Sequence, residues 1–253
     1  MSLPSGDGPA DPSTRLPSPA SAEPETSPGQ RAWSLLREVA GILVASILVS
    51  LFVKTLLVQA FFVPSGSMEP TLHGCEGCFN DRVLVNKQTS LLGGIHRGDV
   101  VVFHDSDGWL PTALTSGDPG GLHGVLVFIG LAPSSAESNL VKRVIGVGGD
   151  TVEGRGGRVY LNGTRLVEPY IFPGNQASDI TFKVTVPAGK LWVMGDHRAE
   201  SADSRFHQQD PGRGFVPVDQ VVGRAFVIAW PLNRAGTLSR PATFDLPVGS
   251  AKS

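Results

Sequence analysis

From Ala40 to Val53 the chain reads AGILVASILVSLFV, without a charge. Lys54 follows, and TLLVQAFFV then resumes the apolar character. Counted from Leu35 to Val58, the stretch reaches the roughly 20 apolar residues that a helix needs to cross a bilayer, with Lys54 snorkelling towards an interface. No polar face recurs at helical spacing, which argues against a helix laid on a globular core. Val58-Gln59-Ala60 has the small-residue look of a cleavage site, so a removable signal peptide is the rival reading. The apolar region is longer than the roughly 7–15 residues of such a leader, and the tail before it is far too long. The expectation is therefore a transmembrane anchor helix over residues 31–60. Arg31 and Arg37, ahead of the uncharged run from Ala40, favour a single pass through the plasma membrane, with the N-terminus cytoplasmic and the bulk of the chain outside, although Lys54 on the far side pulls the other way.

The flanks of this segment differ in kind. Residues 1–30 hold Pro4, Pro9, Pro12, Pro17, Pro19, Pro24 and Pro28 among Ser, Gly and acidic residues. So little apolar surface cannot repay the entropy of ordering, and a disordered cytoplasmic tail is expected. Beyond the anchor, about 190 residues remain, enough for one domain with its own core. The net charge is −2 and the sequence pI about 6.3, with no basic run, which excludes nucleic acid as a partner. The 21 basic residues divide into 15 Arg and six Lys, so each lysine can be inspected singly.

After Phe61 the pattern changes to short β-branched runs: Val83 to Val85, Val100 to Phe103, Val125 to Ile129, Leu140 to Val147, Val159 to Leu161 and Phe226 to Trp230. Turn signals separate them, among them Gly148-Gly149-Asp150 and Asn162-Gly163. Many short strands at this spacing predict a mainly β sandwich or barrel over residues 61–232, with Asp105 to Gly121 a loop and 233–253 an irregular C-terminal tail. Cys75 and Cys78 form a C-x-x-C. One pair plus His73 cannot complete a structural zinc site, so no metal is expected. A short-loop disulfide and two free thiols stand level.

Three segments carry chemistry. In Pro64-Ser65-Gly66-Ser67-Met68-Glu69-Pro70, prolines fix the backbone on both sides and Gly66 lets a hydroxyl and a backbone N–H be presented together. A plain linker has the same composition. In Leu140-Val141-Lys142-Arg143-Val144, alternation puts Lys142 on the face of Leu140 and Val144. An amine desolvated there loses proton affinity, which a base requires, since at a pKa near 10.4 only about one lysine in 2,500 is neutral at pH 7. A solvated edge strand is the alternative. The third segment, Gly195-Asp196-His197-Arg198-Ala199-Glu200-Ser201-Ala202-Asp203-Ser204-Arg205, reads as an active-site wall or as a charged surface loop held by Asp203–Arg205 or Asp196–Arg198 pairs. A Ser-His-Asp triad is disfavoured, because the neighbours Asp196 and His197 point apart.

Taken together, from Phe61 to about Leu232, the ordered blocks P-S-G-S-M-x-P-T-L, R-G-D-V-V-V-F, K-R-V-I-G-x-x-G-D and G-D-x-R-x-x-S-x-D-S-R resemble bacterial type I signal peptidases, the Ser-Lys peptidases of protein export. The short intervals are similar to those of the actinobacterial and Gram-positive-type enzymes. The resemblance implies a membrane-bound serine endopeptidase that removes signal peptides from exported preproteins after small-x-small sequences. It implies Ser67 as nucleophile and Lys142 as general base. Ser65 hydroxyl and Ser67 N–H would form the oxyanion hole, Ser201 would hydrogen-bond and orient Lys142, and Asp203 and Arg205 would form a structural ion pair. Phe61, Val63, Met68, Leu140 and Val141 would wall the substrate pocket. Signal peptides and the lipid bilayer are the implied partners, with no cofactor and a monomeric protein. The chain departs from the pattern at His197, where the family usually has Asn; that position is expected to shape the turn without loss of activity. A reduced second β-domain is also expected.

Overall fold

The structure is a computed structural model and describes residues 28–56, 58–74, 79–91, 94–105, 108–109 and 139–245. The N-terminal tail, the C-x-x-C pair, the strand expected at 125–129, most of the loop expected after Asp105 and residues 246–253 lie outside the described residues.

Helix α1 (Pro28–Leu56) is 29 residues long. Large apolar side chains stand out from it, with Leu36, Ile42 and Ile47 between 64% and 66% exposed. Among the described residues, no helix is long and apolar enough to cross a membrane; the side chains of 51–57 are not among them. The helix stops at Leu56, four residues short of the expected boundary. Val58–Phe62 is instead strand β1, which pairs antiparallel with Arg82–Asn86, strand β2, so that Ala60 lies opposite Leu84. An uncharged run satisfies either period over so few residues, and pairing with β2 decides it.

The remaining elements are α2 (Gln88–Leu91), β3 (Val100–His104), β4 (Asn139–Val147), β5 (Thr151–Arg155), β6 (Arg158–Leu161), β7 (Thr164–Arg165), β8 (Phe182–Thr185), β9 (Lys190–Met194), β10 (Val216–Pro217), β11 (Val221–Trp230) and β12 (Gly236–Thr237). The larger sheet runs β1-β2-β11-β3-β4-β9-β10, with β12 attached to β11, and the smaller runs β7-β6-β5-β8. Every described pairing is antiparallel. The molecule is mainly β, as its alternating β-branched runs predict.

Local chemistry sets the turns. Asn162 and Gly163 both take positive φ, 49° and 81°, as a two-residue hairpin between β6 and β7 requires. Asn162 also accepts the Thr151 N–H and donates to Asp150. The strands at the centre of the larger sheet are covered on both faces. In β3 Val101 and Val102 are fully buried, and in β4 everything from Val141 to Gly146 is buried. Each such aliphatic side chain contributes about 1.5–3 kcal/mol over leaving it in water.

The residues after Leu232 are less irregular than expected. Arg234 pairs with the fully buried Asp81 at 3.0 Å, Gly236–Thr237 adds to β11, and Phe244 enters the core that the two sheets share through Ile145, Val152, Val159, Phe182 and Trp192.

Candidate active site

Strand β1 runs through Val63 into a single 3-10 turn, Gly66–Met68. Two apolar side chains hold this turn: Met68 and Leu72 are buried in one cluster with Phe61, Val63, Val83 and Val141, and the Leu72 N–H donates to the Met68 carbonyl at 2.9 Å. Gly74 backs onto the serine loop so closely that a Cβ there would lie 2.5 Å from the Ser65 carbonyl oxygen, which leaves room for glycine alone. Ser67 is buried at 7% exposure, and Ser65 is exposed with its Oγ 3.3 Å from Ser67 Oγ.

Strand β4 brings the second group. Lys142 sits opposite Val101 of β3, is 3% exposed, and its Nζ lies 2.6 Å from Ser67 Oγ. Its proton affinity is lowered from 10.5 to about 8. Burial is the main cause; the Asp203 and Asp196 carboxylates oppose it, and the Arg205 guanidinium adds to it. The solvated-edge reading of Lys142 is thereby excluded: both faces of β4 are covered.

The third segment is no surface loop, since Asp196, Arg198, Asp203 and Arg205 are all at most 2% exposed. Asp203 and Arg205 pair, with Nε to Oδ1 at 2.9 Å, and Asp203 also accepts the Gly195 N–H at 3.0 Å. Asp196 does not pair with Arg198. It takes both Nε and Nη2 of Arg143, at 2.8 and 2.6 Å, together with Thr71 Oγ1 at 2.5 Å. Arg198 pairs with Glu168. These partners lie far apart in the chain, and nothing in the local pattern announces them. The one legible signal is Arg143 itself, a guanidinium next to Lys142 on the opposite face of a strand buried on both.

The main chain after β9 closes the site. The His197 N–H donates to the Ser67 carbonyl at 3.1 Å, and its imidazole stacks on Phe172 at 4.0 Å. A Cβ on Gly195 would run into Ser201 Oγ and the Ser67 carbonyl. Ser201 differs from expectation: its Oγ is buried without a hydrogen-bond partner, so the bond to Lys142 is not made. The hydroxyl packs against Gly195 rather than reaching the amine. Of the expected pocket residues, Phe61, Val63, Met68 and Val141 gather in one cluster, whereas Leu140 packs on the other face of β4 with Val101 and Val144. Among the described residues, no group of three or more His, Cys, Asp or Glu side chains is placed to hold a metal ion.

A buried hydroxyl in hydrogen-bond contact with a buried amine of lowered proton affinity is an arrangement for nucleophilic attack. Residues 36–230 match the family described as "Signal peptidase, peptidase S26". The chain is 39% identical over 240 residues to the signal peptidase I of Mycobacterium tuberculosis, spanning 87% of this chain and 81% of that one. It is 39% identical over 229 residues to the probable signal peptidase I of Mycobacterium leprae, spanning 80% and 79%. It is 34% identical over 231 residues to the signal peptidase I of Leptolyngbya laminosa, spanning 88% and 97%. The chain therefore belongs to the signal peptidase family, peptidase S26, as a serine endopeptidase of the bacterial type I group.

Proposed function

We propose that this chain removes signal peptides from exported preproteins at a membrane surface, with Ser67 as nucleophile and Lys142 as its general base. The observation that carries the reading is the 2.6 Å contact between Lys142 Nζ and Ser67 Oγ, made by an amine whose proton affinity is lowered to about 8. At that value about one lysine in eleven is neutral at pH 7. The neutral amine takes the Ser67 proton as Oγ attacks the scissile carbonyl, gives it to the leaving amine, and then activates the water that hydrolyses the acyl-enzyme. Ser65 Oγ, close to the nucleophile, and the Ser67 N–H are the donors for the developing oxyanion. Asp203 and Arg205 shape the wall and tune the amine. Ser201 acts by packing against Gly195. Phe61, Val63, Met68 and Val141 form an apolar surround suited to small side chains. The relatives named signal peptidase I support a signal-peptide substrate. Lysine suits this role because burial is the chief cause that lowers its proton affinity into the working range.

The exposed apolar helix α1 supports a single-pass anchor in the plasma membrane that ends at Leu56, with the residues before the helix a cytoplasmic tail and the peptidase domain outside. Only ten residues lie between Leu56, the last of α1, and Ser67. An anchored enzyme and a substrate with a lipid-embedded apolar core meet in two dimensions, which raises their effective concentration. A monomer suffices for this site.

The test is cleavage of a secretory precursor by the detergent-solubilised protein across pH. Cleavage should fall after a small-x-small sequence, and kcat/KM should rise with pH to a plateau through an apparent pKa near 8. Ser67→Ala and Lys142→Ala should each lose at least about 10²–10⁴-fold in rate. Cleavage that survives Lys142→Ala rules out the assigned base.

A further inference from the structure

We propose that Tyr170 is a positioning residue of this site, the ring that keeps the Arg143 guanidinium seated on Asp196 beside the Ser67–Lys142 pair. Arg143 follows Lys142 directly in β4 and is 2% exposed. In its plane it makes four hydrogen bonds: Nε and Nη2 go to Asp196, Nη2 also to Thr71 Oγ1 at 3.3 Å, and Nη1 to the Gly98 carbonyl at 2.8 Å. Its face is covered by the Tyr170 ring, with the guanidinium carbon 4.3 Å from the centroid. A desolvated guanidinium is held by the negative face of an aromatic ring.

Tyr170 is itself clamped. Its hydroxyl donates to Glu168 Oε1 at 2.8 Å, Glu168 pairs with Arg198, and Arg198 Nε donates to the carbonyl of Gly195, the residue before Asp196, at 2.9 Å. Arg198 also lies 6.0 Å from the same ring. The segment between β7 and β8 therefore reaches the catalytic wall through one ring and one carboxylate. The ring leads through Arg143 to Asp196, whose charge acts on Lys142, and the carboxylate leads through Arg198 to the neighbouring Gly195 carbonyl.

The functional consequence follows from charge balance. Lys142 feels Asp203 and Asp196, which favour its protonated form, and Arg205, which disfavours it. A tightly seated Arg143 offsets Asp196. With the ring removed, Arg143 is free to tilt, the Asp196 charge is less compensated, and Lys142 holds its proton to higher pH. The acid limb of kcat/KM must then move upward.

The inference rests on the assignment of Lys142 as base. The experiment measures kcat/KM against pH, with the full chain in detergent and a secretory precursor, for wild type, Tyr170→Phe, Tyr170→Leu and Lys142→Ala. Tyr170→Leu should shift the acid limb up by about half a pH unit, a roughly threefold loss on that limb, with the alkaline plateau lowered less. Tyr170→Phe keeps the ring under Arg143 and should hold the limb within about 0.2 pH unit of wild type. A leucine profile that is lowered throughout without moving its limb overturns the proposal, as does a phenylalanine variant that shifts as far as leucine. If the leucine variant does not fold, Tyr170→Met takes its place with the same readings. Retained cleavage by Lys142→Ala brings down the base assignment itself, whereas an inactive Lys142→Ala beside an unshifted leucine limb brings down only the role of Tyr170.

Discussion

Lys142 binds its proton less well in the folded protein, at about 8, than the ordinary value of 10.5 in a solvated chain. The sign of the linkage follows from that order. Between about pH 8 and 10.5 the folded state carries fewer protons than the unfolded state, so stability rises with pH across that window; below it, the whole penalty for burying an ammonium group is present. The size is about 3 kcal/mol, at about 1.4 per pH unit. Lys142→Met, similar in length and without charge, should therefore abolish cleavage and yet stabilise the protein by about 1–3 kcal/mol at pH 7, the gain shrinking as the pH rises above 8. Chemical-denaturation midpoints of the two proteins in the same detergent, at pH 7 and pH 10, measure this. An equal midpoint at pH 7 would mean that the amine is hydrated and that catalysis draws on something other than burial. The residue proposed as the base thus also carries a stability defect, and one substitution tests both.

The polar turn after β9 is the element on which the site closes, and Gly195 is its tightest point. A Cβ there would meet both Ser201 Oγ and the main-chain oxygen of Ser67. Gly195→Ala should lower kcat/KM by more than about 100-fold, since the His197 N–H bond to the Ser67 carbonyl cannot survive the displacement, and overpacking should cost about 1–3 kcal/mol of stability. Adding Ser201→Gly relieves one of the two clashes and leaves the backbone one, so the double variant should recover stability but little activity; full recovery would place the fault in Ser201 alone. Such crowding cannot be read along the chain. What can be read there is local: the short β-branched runs that make β3, β4 and β11, the Asn162-Gly163 hairpin, and the pairing of Asp203 with Arg205 two residues on. The ends of short apolar segments cannot, which is why Val58–Ala60 reads as helix and folds as β1. Nor can partners fixed by register. Arg143 finds Asp196 because β4 lies against β9 with Arg143 opposite Met194, and Glu168 finds Arg198 because a connection between two strands of the smaller sheet folds back to the larger one. The serine and the lysine were legible from the ordered blocks in which they stand, whereas the unpartnered state of Ser201 Oγ is set by its packing against Gly195, which no local pattern shows.

At the scale of the whole molecule, the two sheets share a core that the C-terminal segment completes. Phe244 lies with Ile145 and Trp192 of the larger sheet and Val152 and Phe182 of the smaller. It also stacks on Tyr170 at 6.2 Å. Gly98 accommodates it, since a Cβ there would sit 2.6 Å from the ring. Arg234, ten residues earlier, pairs with Asp81, which is fully buried and also accepts the His73 N–H at the end of the loop that holds Ser67. A segment that reads as a tail thus supports the Ser67 loop at one point and the Tyr170 ring at another. Phe244→Ala should destabilise by about 3 kcal/mol, from lost transfer energy plus a cavity. Ending the chain at Leu232 should destabilise more, because it also leaves the Asp81 carboxylate buried and unpaired. Urea midpoints for the full chain, Phe244→Ala and the shortened chain, in one detergent at one pH, order the three. The expected order is full chain, point variant, shortened chain. A shortened chain as stable as the full one would mean that residues 233–245 only rest on the core, and it would remove the physical reason for Phe244 to reach the site through Tyr170.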